Sequence, residues 1–232
     1  EKPQKLEKES DCLIRGKVLG HPSSYRLVLM GYYDDNRIQE PYAIIPVRNG
    51  KFEYLCKLGE SKMYWLVFTD ELAKSSYRPV SFFIEPGEVE ITIQPEDAYT
   101  DSETRGKEVN EQYQRYQQLR EEQFHFSTIY RQYDSLSEPA LYYTPRALEL
   151  HELLSQNYEN KQKSDSLDAI YQQLKKENKE CTPQAIALNE KYKNLRKEEQ
   201  KWKEGYMEKY PSVATYFLLM DDLRHWVDYR VH

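Results

Sequence analysis

Over the first hundred residues, hydrophobic and polar positions alternate in short runs. Phe52, Tyr54 and Cys56 occupy every second position, with Lys51, Glu53 and Lys57 between them. Val89, Ile91 and Ile93 do the same against Glu88, Glu90, Thr92 and Gln94. Period-two alternation predicts antiparallel strands with one buried and one wet face. Seven such runs are expected, near residues 12–19, 25–33, 42–47, 51–57, 64–69, 80–84 and 89–93. Asn49-Gly50 suits a type I′ turn, in which both central residues need positive φ, so a hairpin is expected there. Glu85-Pro86-Gly87-Glu88 places Pro and Gly as a type II turn does and predicts a second hairpin. The proline in Ile44-Ile45-Pro46-Val47 assigns that strand to a sheet edge.

The pattern changes near Thr100. Glu, Gln, Lys, Tyr and Leu then dominate, and apolar positions recur at three- and four-residue steps. Six of the eight glycines and seven of the eleven prolines precede this point. Four long helices are predicted, over residues 101–135, 145–179, 183–209 and 212–229. Thr100 with Glu103 reads as a capping box. Thr144-Pro145 and Thr182-Pro183 each pair an N-cap with proline at the first helical position, and Tyr210-Pro211-Ser212 repeats the device. The second and third helices are expected to form an antiparallel hairpin turning at Cys181-Thr182-Pro183. The fourth carries Val213, Phe217, Leu219, Met220 and Leu223 and is expected to be the most buried. The fold class is therefore α+β: an N-terminal antiparallel β-sandwich of about seven strands, followed by an extended region of about four long helices. The expected division is a charged flexible tether at residues 1–10, a β-sandwich at 11–98 and a helical domain at 99–232.

Net charge is −6, shared equally by the two halves, so no basic field exists to attract nucleic acid. No apolar run approaches the roughly 20 residues needed to span a bilayer. The three cysteines are too far apart for a CxxC pair. Cys12 and Cys56 read as small buried hydrophobes, and a bridge between them stays open as an alternative.

Candidate chemistry is sparse. His21, His125, His151, His225 and His232 are scattered, and no HExxH or Cys/His cluster has metal spacing. Asp221 and His225, four apart, are read as a polar pair on one helix face. There is no GxSxG, P-loop or dinucleotide glycine pattern. Glu85, Glu88 and Glu90 crowd one turn and are read as carboxylates on a wet strand face. The 21 tyrosines, with adjacent pairs at Tyr32-Tyr33 and Tyr142-Tyr143, are read first as core and helix-seam packing. A stacking surface for glycan or peptide is the alternative. No catalytic, metal-binding or cofactor-binding residue is assigned.

Three segments in order suggest a relationship: Cys12-Leu13-Ile14-Arg15-Gly16-Lys17-Val18, then Val47-Arg48-Asn49-Gly50-Lys51-Phe52-Glu53-Tyr54, then Phe83-Ile84-Glu85-Pro86-Gly87-Glu88-Val89-Glu90-Ile91. The order resembles the domain of unknown function that precedes the thioredoxin fold in envelope thiol-disulfide oxidoreductases of the alkyl-hydroperoxide-reductase/TlpA type. Arg105-Gly106-Lys107-Glu108-Val109-Asn110 resembles the start of that family's first helix, and Tyr210-Pro211-Ser212-Val213-Ala214 a later one. The redox chemistry of that family belongs to a following CxxC domain, which these 232 residues do not contain, so no catalytic residue carries over. The resemblance implies a periplasmic or outer-membrane-associated protein, tied to the membrane only through a removed lipid anchor. It also implies a protein partner or a thioredoxin-like domain, with a homodimer as a further arrangement. The expected function is a non-catalytic envelope module that scaffolds or binds a partner. The alternatives are a glycan- or peptide-binding module and a fragment of a redox enzyme.

Overall fold

A computed structural model describes residues 4–21, 25–33, 40–57, 61–74 and 77–231, with the side chains of Asp97, Thr100 and residues 225–231 outside the description. The fold is α+β, with two four-stranded sheets followed by helices. The strands are β1 (Cys12–Val18), β2 (Arg26–Gly31), β3 (Ala43–Pro46), β4 (Lys51–Cys56), β5 (Lys62–Phe68), β6 (Val80–Ile84), β7 (Gly87–Ile93) and β8 (Glu103–Arg105). A short helix α1 (Thr69–Ala73) follows β5. The first sheet runs β4-β1-β7-β8 and the second β3-β2-β5-β6, so neither closes into a barrel. All pairs are antiparallel except β1 with β7, which is parallel.

That parallel pair arises because both predicted hairpins are crossings between sheets. Asn49 and Gly50 have φ of 52° and 68°, as a type I′ turn requires. Arg48 and Lys51 bridge across them, with hydrogen bonds of 2.8 and 3.0 Å. Yet β3 pairs with β2 and β4 with β1, so the ladder ends after one rung. The Pro86-Gly87 turn likewise takes the chain from β6 in one sheet to β7 in the other. The expected edge position of β3, with its proline, is observed.

The core lies between the sheets. Ile14, Phe52, Val89, Ile91 and Ile93 of one meet Leu27, Leu29, Leu66, Phe82 and Ile84 of the other. Each side chain of this size contributes about 1.5–3 kcal/mol when fully buried. Gly16 faces Phe52 across the β1/β4 ladder, and the Phe52 ring lies where a β-carbon on Gly16 would stand, 2.6 Å away. The far face of the second sheet is also buried, at Val28, Met30, Met63, Val67 and Phe83. The Phe83 ring meets those of Tyr113 and Phe217 at 5.6 and 5.3 Å, bringing α2 (Glu108–Phe124) and α8 (Val213–Val231) against this face.

The start of α2 is set by a residue 23 positions before it. Glu85 is buried, and its carboxylate accepts from the backbone N–H groups of Lys107, Val109 and Asn110 at 2.8, 3.1 and 3.2 Å. A distant acid thus does the work of an N-cap and places negative charge at the positive end of the helix. Asn110, fully buried, donates to the Phe83 carbonyl at 2.7 Å and accepts from the Phe83 N–H at 2.9 Å, as a neighbouring strand would. Residues 102–107 are accordingly not helical, in contrast to the long helix expected from 101: a 3-10 turn (Glu96–Asp101) and β8 precede α2. The reading of Glu85 as an exposed carboxylate is corrected by the same contacts.

The other predicted helices subdivide. His125, at φ 50°, ends α2 before α3 (Phe126–Asp134). A one-turn α4 (Pro139–Tyr142) follows. The second long helix is two, α5 (Pro145–Gln156) and α6 (Lys161–Lys176), and α7 (Pro183–Lys209) is continuous as predicted. Thr144 and Thr182 cap α5 and α7 by accepting from Ala147 and Ala185 N–H groups at 3.4 and 3.3 Å. The expected hairpin partners are corrected. Leu150, Leu154, Leu167 and Tyr171 pack α5 on α6, whereas Ile129, Tyr133, Leu188 and Tyr192 pack α3 on α7.

The chain divides by compactness into residues 1–118 with 207–232, and residues 119–206. The division falls inside α2 and α7, not at the change of composition near Thr100. Residues 4–10 carry defined contacts: Gln4 N–H donates to Glu53 at 3.0 Å, Glu7 pairs with Lys57 at 3.0 Å, and the Asp11 carboxylate accepts from the N–H groups of Glu7 and Lys8.

Candidate functional site

The outer face of the first sheet, together with the edge of β3, forms an open cleft of about 1180 Å³. Its floor follows from register. Glu53, Arg15, Glu90 and Arg105 stand side by side across all four strands, so their charges alternate. The next rank reads Lys51, Lys17, Thr92 and Glu103. In the first rank each charge has an opposite neighbour. In the second, Lys17 and Lys51 face each other directly, with Arg48 at the adjoining turn also lining the cleft. Like charges directly opposite on a sheet are destabilising. Lys17 and Lys51 are both exposed, and neither is ion-paired among the described residues. Arg15 reaches Glu88 at 3.5 Å, and Arg105 reaches Glu103 at 3.0 Å.

The apolar part of the cleft is small. Ile44 of β3 is 56 % exposed, and Phe52 and Tyr54 line the side toward β4. Burial and the nearby Cys56 thiol push the Tyr54 hydroxyl above its usual value, which favours the neutral form. Among the described residues, no histidine, cysteine or serine lines the cleft. Among the described residues, no group of three His, Cys, Asp or Glu side chains is placed to hold a metal ion. The arrangement offers salt bridges and hydrogen bonds to a ligand rather than a nucleophile with a base.

Residues 12–113 match the family model of a domain of unknown function, DUF4369. The matched stretch begins at the first residue of β1 and ends within α2. It therefore holds both sheets, the cleft lining from Arg15 to Arg105, and the Glu85–Asn110 joint. No curated protein matches the chain. The match carries no catalytic assignment.

The residues singled out from sequence do not converge. His21 donates from Nε2 to the Gln94 carbonyl, 2.9 Å away, and its ring meets Phe68 at 4.4 Å, a packing position. His151 meets the Tyr171 hydroxyl at 2.8 Å, and that hydroxyl donates to Glu180. Burial and this carboxylate hold the Tyr171 hydroxyl well above its ordinary value, so the trio links α5, α6 and the segment before α7 without supplying an ionised nucleophile. The Asp221–His225 pair lies outside the described side chains at His225. Tyr32 packs against Trp65 and Phe217, ring to ring at 5.0 and 5.1 Å, as core tyrosines do. The Lys17–Lys51 opposition went unread from sequence. It depends on β1 pairing with β4, and the Asn-Gly turn pointed to β3 as the partner of β4.

Proposed function

We propose that this chain is a non-catalytic binding module of the cell envelope, holding an acidic, extended segment of a protein partner across the outer face of its first sheet. The observation that carries the reading is the Lys17–Lys51 opposition beside Arg48. Two cations held face to face cost stability in the free protein, and an anionic side chain laid between them removes that cost. In the neighbouring rank, Arg15 and Arg105 add two further cations to the face. The open edge of β3 adds backbone groups of the kind that recognise extended peptides. Envelope location and a thioredoxin-type partner rest on the family resemblance.

The test is a titration of isotope-labelled protein with a ten-residue Glu-rich peptide, with a Lys-rich peptide and a neutral oligosaccharide as comparisons. Shift changes are expected at Lys17, Lys51, Thr92 and Arg105 with the acidic peptide. A Lys17→Glu/Lys51→Glu variant is expected to weaken binding at least tenfold, and added salt to weaken it further. Binding that survives the charge reversal overturns the reading. Binding of the oligosaccharide instead, mapped to the exposed Tyr25 and Tyr42, replaces it with the glycan alternative.

A further inference from the structure

Cys12 and Cys56 are directly opposite at the last pair of the β1/β4 ladder, and both are free thiols. They share the inward face. Cys12 is fully buried in the core, and Cys56, half-buried, packs against it. Val18 N–H donates to the Gly50 carbonyl at 2.8 Å, which makes that position a hydrogen-bonded pair. Hydrogen-bonded pairs recur every second position along an antiparallel ladder, so Cys12/Cys56 is one as well. Residues so placed have α-carbons about 5.5 Å apart. That lies within the window of about 4.4–6.8 Å that a disulfide spans. Their β-carbons, standing parallel on the pleat, must tilt together to reach the separation of about 3.8 Å that a relaxed disulfide prefers. Closure is therefore feasible but strained, and strained disulfides are the more readily reduced ones.

We propose that Cys12 and Cys56 form a reversible cross-strand disulfide, closed by exchange with a small disulfide such as oxidised glutathione. The half-buried Cys56 attacks first as the thiolate. One sulfur of the small disulfide is taken and one thiol leaves, giving a mixed disulfide on Cys56. Cys12, deprotonated, then attacks the Cys56 sulfur and expels the second thiol. Two cysteine thiols are oxidised by two electrons, one disulfide becomes two thiols, and both protons end on the leaving thiols. Burial raises both thiols above their ordinary value, so exchange is slow at neutral pH and accelerates as pH rises. The bond ties the end of β4 to β1 beyond Tyr54, at the apolar side of the cleft. The inference stands independently of any ligand there.

The experiment equilibrates the full chain at pH 8 with oxidised and reduced glutathione in varied ratio, quenches with acid, and reads intact mass and protease fragments. The expected product has lost two hydrogens and yields one fragment pair joining Cys12 to Cys56. It is expected equally in Cys181→Ser, to be absent in Cys56→Ser, and to revert as reduced glutathione is increased. Three thiols still titratable in the folded wild-type chain overturn the proposal. So does glutathione that remains attached to Cys56, or a linkage that involves Cys181. Because the decisive reading is made on the wild-type chain, it does not depend on any variant folding.

Discussion

Two residues hold the β fold to its first long helix, and one glycine lets the first sheet form. Asn110 closes the free edge of β6 at Phe83 while its own N–H and side-chain amide reach Glu85, the latter at 2.6 Å. Removing that amide leaves the Phe83 N–H and carbonyl without a partner in a buried place, each a loss of about 1–3 kcal/mol. Asn110→Ala is therefore expected to lower the unfolding free energy by about 2–4 kcal/mol, read from the denaturant midpoint at unchanged slope. Gly16 works by absence. A β-carbon there would stand 2.0 Å from the Ile91 carbonyl oxygen, a backbone atom that can yield only if β7 moves. Gly205, in α7, has open space around its α-carbon. Gly16→Ala should destabilise by more than about 2 kcal/mol or prevent folding. Gly205→Ala should stabilise by about 0.5–1 kcal/mol, because alanine loses less backbone freedom on entering a helix. Thermal midpoints of the two variants should move in opposite directions, and a shared direction would refute the packing assigned to Gly16.

At the scale of elements, α8 shows what periodicity can and cannot say. Its sequence is the most apolar of the helices, and it is expected to be the most buried of them. Over its described side chains, residues 213–224, one side is buried: Ala214 and Leu218 are covered, whereas Val213, Tyr216, Leu219, Met220 and Leu223 are 42–63 % exposed. Ser212 and Thr215 begin the helix reciprocally, the Ser212 N–H donating to Thr215 Oγ1 at 2.7 Å and the Thr215 N–H to Ser212 Oγ at 3.2 Å. Leu219→Lys and Leu223→Lys are thus expected to change stability by less than about 0.5 kcal/mol, whereas Leu218→Ala should cost about 2–5 kcal/mol. A large loss on changing Leu219 would show that the face is covered in solution. The same contrast marks what was legible in the sequence. Alternation at Phe52–Cys56 and at Val89–Ile93, the edge proline of β3, and the Thr-Pro caps of α5 and α7 are local, and each is where it was expected. The sheet partners were not legible. Asn49-Gly50 and Pro86-Gly87 fix how the chain turns, but which sheet receives the next strand is decided by burial on the far side. The cleft inherits that blindness, since its ranks of charge exist only once β1 lies between β4 and β7. The breaks at His125 and at residues 157–160 were hidden because neither site carries a helix-breaking glycine or proline.

Across the whole molecule the chain buries weak acids that titrate only in alkali. Burial raises the Cys12 thiol from 9.0 to about 12, assisted by the Cys56 thiol. Burial, with Asp221 nearby, pushes the Tyr33 hydroxyl up to about 12. Tyr32, Tyr54 and Tyr99 are raised in the same direction, chiefly by burial, as are Tyr133, Tyr143 and Tyr192 of the helices. The sign follows from linkage. Above pH 9 the unfolded chain releases these protons first, so the folded state binds more of them and the free energy of unfolding falls as pH rises. The contribution is fully present below pH 9 and is lost progressively toward pH 12. Each withheld proton steepens the fall by about 1.4 kcal/mol per pH unit. In reducing buffer, the thermal midpoint of the wild-type chain is expected to be flat from pH 7 to 8.5 and to drop increasingly steeply above 9. Cys12→Ala removes one of the raised thiols, the one whose titration begins near 9 in the unfolded chain and moves to about 12 in the folded one, and it takes little volume from the core. The variant should begin with a lower midpoint at pH 7 and lose stability less steeply between pH 9 and 10, where the tyrosines of the unfolded chain are still largely protonated. Parallel curves for the two proteins across that interval would mean that the Cys12 thiol is as free to ionise in the folded state as in the unfolded one, and that β1 does not seal its end of the core.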